Sequence, residues 1–386
     1  MSSSTAPHAE DPDMSRLPES LVPLFTQALK SYSLSNASFR VLCSLPSSAT
    51  PARDGGDNNN NDADILTPRP PRRPPRSIIV LDSSFNPPTL AHQRMALSAL
   101  ADPNYFPSAP PREEEKSRVL LLLAINNADK APKPVAFPQR LAMMYMFARD
   151  LLSASPSSSP VPVPAPAQVQ DSTIVDIAVT TEPYFHAKSG AIASADFYRG
   201  TGTGISETTT TTTTATTATT VAAAEEEGQR SQEETEQVYL TGFDTLIRIF
   251  DPKYYRPHYP DGGGGGSASP MRTALDPLFA RARLRVTPRP DAEWGDAEAQ
   301  RRYLAELRGR LGQGQQQLGG RSEWADRVDM VEGAEDGEGE AEAVSSTRVR
   351  DAARRRDWGA LGRLVSPGVA AWIREEGPYV PGEEAG

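Results

Sequence analysis

Apolar positions along the chain follow two spacings, and their succession predicts strands alternating with helices. Leu21, Leu24, Phe25, Ala28 and Leu29 recur at helical spacing and predict an amphipathic helix ending near Ser31, with a short strand over Phe39–Leu42 after it. Ile78, Ile79, Val80 and Leu81 form an unbroken apolar run, the pattern of a strand covered on both faces of a parallel sheet. A helix from Leu90 to about Ala101 follows. The unit then repeats, with a buried strand over Val119–Ile125 and a helix over Pro138–Leu152. Ile174–Val179, Val238–Leu240, Leu284–Val286 and Val328–Val331 predict further strands. Such alternation predicts an α/β, doubly wound parallel sheet that binds ligands at the carboxyl ends of its strands.

Composition sets how much of the chain this sheet uses. The chain has 386 residues but is only 38% hydrophobic, with 36 Pro and 28 Gly, so a large share has nothing to bury. The reading is one domain over 77–380, preceded by a helix-and-strand extension over 1–45 and a disordered linker over 46–76 whose arginines are solvated. Low-complexity insertions interrupt the domain near 153–168, 200–235, 260–270 and 312–342. The Thr/Ala tract from Thr208 reads as one of these expansions.

Charge and cysteine content narrow the function classes. A net charge of -10 argues against a basic surface built to hold nucleic acid or an anionic membrane. The single cysteine, Cys43, allows no internal disulfide and no cysteine-cluster zinc site, and it reads as a buried apolar residue. No apolar stretch approaches the roughly 20 residues of a membrane span, and the N-terminus lacks the basic flank and apolar run of a signal peptide. The expectation is a soluble protein of the cytoplasm or nucleus.

Two segments could carry chemistry. Asp82-Ser83-Ser84-Phe85-Asn86-Pro87-Pro88-Thr89-Leu90-Ala91-His92 joins a buried strand to a helix, which places backbone N–H groups and a helix N-terminus where a phosphate is favoured. His92, in the first helical turn, can reach the same anion. By itself the segment reads equally well as a tight turn with a surface histidine. In Ser345-Ser346-Thr347-Arg348-Val349-Arg350 a hydroxyl cap opens a helix, and Arg350 lies near it, suited to a polyphosphate. By itself this is an ordinary capped helix.

Together the two segments carry a family resemblance. SSFNPPTLAH resembles the GSFNPxTxxH form of the HxGH signature, and SSTRVR resembles SSTxxR, the second signature of the nucleotidyltransferase superfamily. The order and separation are similar to those of nicotinamide mononucleotide adenylyltransferases of the fungal type. Between them, NNADKAPKPVAFPQRLAMM and TGFDTLIRIFDPKYY resemble the family's lysine-and-arginine and Gly-x-Asp segments, and LGRLVSPGVAAWIREEGPYV its helical tail. Ser366 as cap, Pro367 at the first helical position and Gly377 past the end fit that last helix independently.

The resemblance implies a Rossmann-like nucleotidyltransferase fold, ATP and nicotinamide mononucleotide as substrates, and roles for individual residues. His92 and Arg350 would be catalytic. ATP would be bound by Ser84, Phe85, Thr89, His92, Gly242, Asp244, Ser346, Thr347 and Arg350, with Thr89 at the place of the first signature histidine. The acceptor would be held by Lys130 or Lys133, Arg140, Tyr184 and Phe185, the two aromatics standing in for tryptophan-bearing segments that this chain lacks. His186 and Lys188 add polar groups nearby. A Mg²⁺ ion would be held mainly by phosphate oxygens and water, and so would leave no protein motif. Ser83 stands where the family has glycine. The competing readings are a cytidylyltransferase, an adenylyltransferase for nicotinate mononucleotide or another acceptor, and a nucleotide-binding scaffold with weak ATPase activity.

Overall fold

The unbroken apolar runs form the centre of one seven-stranded sheet. In the computed structural model, which describes residues 21–46, 67–105, 118–126, 135–154, 173–200, 235–255, 269–288, 295–312, 319–331 and 344–379, the strands are β1 (Phe39–Pro46), β2 (Ser77–Asp82), β3 (Arg118–Ala124), β4 (Ile174–Thr180), β5 (Glu236–Gly242), β6 (Ala282–Thr287) and β7 (Val328–Met330). Their order is β1-β4-β3-β2-β5-β6-β7. All neighbours are parallel except β1, which runs antiparallel to β4. From β2 the chain winds outward through β3 to β4, then returns to the other side of β2 with β5. The reversal between β2 and β5 makes their carboxyl ends the place where a doubly wound sheet opens a ligand crevice.

Helices cover both faces. On one lie α1 (Leu21–Ser33), α2 (Leu90–Leu100), α3 (Phe137–Ser153), α8 (Ser346–Arg354), α9 (Trp358–Gly362) and α10 (Pro367–Glu376), packed around Ile79, Leu81, Leu121 and Leu123. On the other lie α4 (Phe185–Ser194), α5 (Phe243–Ile249), α6 (Pro270–Arg281) and α7 (Ala297–Gly312), around Ile78, Val80, Leu120 and Leu122. Val119 to Leu123 are all at 0% exposure. At roughly 1.5–3 kcal/mol for each fully buried aliphatic side chain, β3 and its neighbours anchor the fold.

The segment ahead of Ser77 belongs to this sheet. β1 pairs along β4 from Phe39 opposite Thr180 to Pro46 opposite Ile174, and α1 buries Leu21, Phe25 and Tyr32 in the same core as α3. Cys43 is buried there, and burial pushes its thiol pKa up. The end of the expected linker is also structured. The Arg69 N–H donates to Ser44 Oγ and its carbonyl accepts from Arg118, whose guanidinium forms a buried ion pair with Asp176. The Thr/Ala tract and most of the expected insertions lie outside the described residues. Within the 312–342 stretch, a 3₁₀ turn over Ser322–Arg327 leads into β7, so that part completes the sheet edge. Among the described residues no helix is long and apolar enough to cross a membrane.

Candidate active site

The link from β2 to α2 is tightly specified. The Ser83 N–H donates to the Leu122 carbonyl at 3.3 Å, continuing the β2–β3 pairing past the end of the strand. Phe85 then adopts a left-handed backbone, φ 44°, with its ring fully buried. A bulky residue holds that conformation only where its surroundings over-determine it, and such strain concentrates at functional loops. The Asn86–Pro87 peptide is cis. Thr89 caps α2, and its backbone N–H donates to His92 Nδ1 at 3.0 Å. His92 therefore folds back over the cap, 5.6 Å from the Phe85 ring, with Nε2 3.0 Å from Ser83 Oγ. Burial lowers its pKa to about 4, so the ring is neutral near pH 7.

Not all the expected amides are available to an anion. The Leu90 N–H donates to the Leu364 carbonyl at 2.9 Å, and that of Thr89 is held by His92. The segment before α10 thus braces the start of α2.

The second signature meets the first. Ser345 caps α8, its hydroxyl accepting the Arg348 N–H at 3.4 Å. The next residue, Ser346, donates its hydroxyl to the Pro87 carbonyl at 2.9 Å. Arg350 donates from Nη1 to the Asn86 carbonyl at 2.8 Å and from Nη2 to Thr347 Oγ1 at 2.9 Å. A guanidinium has five N–H hydrogens, so these bonds fix its plane without exhausting it. Arg140, on α3, is buried over the Phe137 ring with Nε donating to the Val135 carbonyl at 2.8 Å. Burial lowers its pKa, Tyr379 raises it, and the like charge of Arg350 lowers it, so the two guanidiniums share one neighbourhood. Tyr379 stands with them and donates to Asn86 Oδ1 at 2.9 Å.

Other expected site residues line the same sheet edge. Gly242 ends β5, and Asp244 Oδ1 lies 2.7 Å from where a Cβ on Gly242 would stand, so a larger residue there would push that carboxylate aside. Ser84 is exposed in the β2–α2 link. Tyr184 precedes α4 and stacks on His186, centroids 5.7 Å apart at 13°. Phe185 instead packs edge-on against Tyr239, under the Lys188 ammonium at 5.3 Å. Lys130 and Lys133 lie outside the described residues.

Sequence reasoning missed two contacts. Lys188 donates to Asp82 Oδ2 at 2.5 Å with both side chains almost fully buried, a pair at the carboxyl end of β2. Asp82 stood in the quoted segment, but no pattern showed a lysine after β4 reaching back to it. Tyr379 likewise sat in the recognised tail without a sign that it touches Asn86.

No family model matches the chain. A Schizosaccharomyces pombe protein, provisionally named nicotinamide mononucleotide adenylyltransferase, is 27% identical over 306 residues, 79% of this chain and 86% of that protein. Two solved structures of Plasmodium falciparum nicotinic acid mononucleotide adenylyltransferase, one complexed with NaAD and one with APC, align over 79% of this chain and 97% of theirs. Their identities are 11% and 9% and their TM-scores 0.35 and 0.34.

A doubly wound sheet whose two signature-like segments meet at its switch point is similar to a nucleotidyltransferase of Rossmann-like fold. Within that class the chain resembles the nicotinamide mononucleotide adenylyltransferases, through its signatures and through a relative that spans most of its length.

Proposed function

We propose that the protein transfers the adenylyl group of ATP to nicotinamide mononucleotide, forming NAD and pyrophosphate. The supporting observation is the contact of the two signatures. Arg350 and Ser346 bond the carbonyls of Asn86 and Pro87, so a guanidinium, two hydroxyls and the His92 imidazole gather at the carboxyl edge of β2. Such a set suits a triphosphate. The name of the S. pombe relative points to the same acceptor.

The chemistry asked of these residues is positioning and charge neutralisation. An oxygen of the acceptor phosphate attacks the α-phosphorus in line, the bond to the bridging oxygen breaks, and pyrophosphate leaves. No side chain has to form a covalent bond. Arg350, with Thr347, holds the triphosphate, while the Ser346 hydroxyl, which donates to Pro87, fixes the loop beneath it. His92 donates from Nε2 to the phosphate chain. Arg140, Tyr184 and Lys130 or Lys133 orient the acceptor, and Gly242 with Asp244 lines the nucleoside pocket. A Mg²⁺ ion held mainly by phosphate oxygens and water belongs to the same reading. Bound there, the ion would supply charge neutralisation.

The decisive assay measures NAD and pyrophosphate formed from ATP and nicotinamide mononucleotide, with CTP and nicotinate mononucleotide as competing substrates. Preference for CTP or for nicotinate mononucleotide would change the substrate assignment. Saturable ATP binding with no transfer to any mononucleotide would overturn the enzyme reading in favour of a nucleotide-binding scaffold.

A further inference from the structure

His92 has one fixed hydrogen-bond polarity. The Thr89 backbone N–H donates to Nδ1 at 3.0 Å, and an amide nitrogen offers no lone pair in return, so Nδ1 is the acceptor, and Thr89 Oγ1, 2.8 Å from the same nitrogen, is a second donor to it. The ring proton therefore sits on Nε2. Its partner, 3.0 Å away, is Ser83 Oγ. This excludes a serine nucleophile activated by His92, because the nitrogen facing the hydroxyl is already protonated. Burial favours the neutral ring, which carries a single proton.

Ser83 is half-buried between the end of β2 and α2. Its oxygen stands at hydrogen-bond distance from Nε2, the place a phosphate oxygen would need in order to accept from the same N–H. A glycine at this position, as in the signature that the segment resembles, has no such group.

We propose that Ser83 is a positioning residue acting through His92: its hydroxyl orients the imidazole and must give up the Nε2–H when a phosphate oxygen of the bound triphosphate takes it. Triphosphate binding then exchanges one hydrogen bond for another instead of gaining one outright. The inference rests on the proposed function only for the identity of the anion.

The test is calorimetric titration of the full chain with MgATP. Removing the hydroxyl by Ser83→Ala is expected to tighten binding about fivefold, the size of one net neutral hydrogen bond. Ser83→Gly, a second variant lacking the hydroxyl, moves the same way, and Ser83→Thr returns the affinity toward that of the parent. In a His92→Ala background the gain from Ser83→Ala disappears, which a purely structural role would not produce. The ¹⁵N shifts of His92 report a neutral ring protonated on Nε2 at pH 7. Unchanged or weaker binding in both Ser83→Ala and Ser83→Gly, the same gain without His92, or a ring protonated on Nδ1 would overturn the inference. A parent chain that binds no MgATP overturns it together with the proposed function. One that binds MgATP but transfers nothing overturns only the latter.

Discussion

Arg350 and Asn86 lie 264 positions apart in the chain and share a 2.8 Å hydrogen bond from guanidinium to backbone carbonyl. The same guanidinium holds Thr347 with its second nitrogen, so its plane is set by two partners on different segments. Planar, forked donation of this kind is specific to arginine.

Arg350→Lys is therefore expected to lower the rate of adenylyl transfer by a factor on the order of 10–100 while keeping the positive charge. Steady-state kinetics with ATP as the varied substrate checks it. Retention of full activity would remove Arg350 from the site.

The neutral state of His92 sets a pH dependence. Its pKa falls from 6.5 to about 4 on folding, so the unfolded chain takes up a proton in that interval which the folded chain refuses. The contribution of His92 to stability is intact above pH 6.5 and is lost as pH falls through about 4. His92→Gln, which offers an acceptor and a donor without titrating, should show a shallower acid loss in urea denaturation. In the parent enzyme, His92 should produce no step in the rate profile near pH 6.5.

Lys188 and Asp82 are almost fully buried together. Removing one partner leaves the other charge buried and alone, so Lys188→Met is expected to destabilise the fold by about 3–5 kcal/mol. Adding Asp82→Asn should recover part of that loss. Chemical denaturation of the two variants measures both effects.

Gly368 sits at the start of α10, where the Asp150 carboxylate accepts the Gly368 and Val369 N–H groups at 2.9 and 3.3 Å. A Cβ on Gly368 would stand 2.7 and 2.9 Å from the two carboxylate oxygens. Gly368→Ala is expected to cost about 1–3 kcal/mol, and Gly368→Ala with Asp150→Ala less than the sum of the single changes. Urea midpoints decide it.

The central strands were legible because a strand covered on both faces has to be apolar at every position, and β2 and β3 are buried along nearly their whole length. The last helix was legible through its ends, where Ser366, Pro367 and the left-handed Gly377 stand as expected. β1 was read as a separate extension because its partner, β4, lies over a hundred residues further on, and nothing local encodes that pairing. α7 was missed because a surface helix that buries only Gln300, Leu307 and Leu311 has too narrow an apolar stripe to stand out. At the site, the motifs brought His92, Ser346 and Arg350 to attention. They could not show Lys188 on Asp82 or Ser83 on His92, because those contacts depend on how chain segments and rings are oriented in space.

The bond from Tyr379 to Asn86, with the bond from the Leu90 N–H to the Leu364 carbonyl, ties the loop between β2 and α2 to the far end of the described residues. A ribosome making this protein extrudes Asn86 of the loop 293 residues ahead of Tyr379. Until residue 379 has left the exit tunnel, the nascent sheet carries the loop without that support. The loop therefore takes its braced form only after the segment around Tyr379 has emerged.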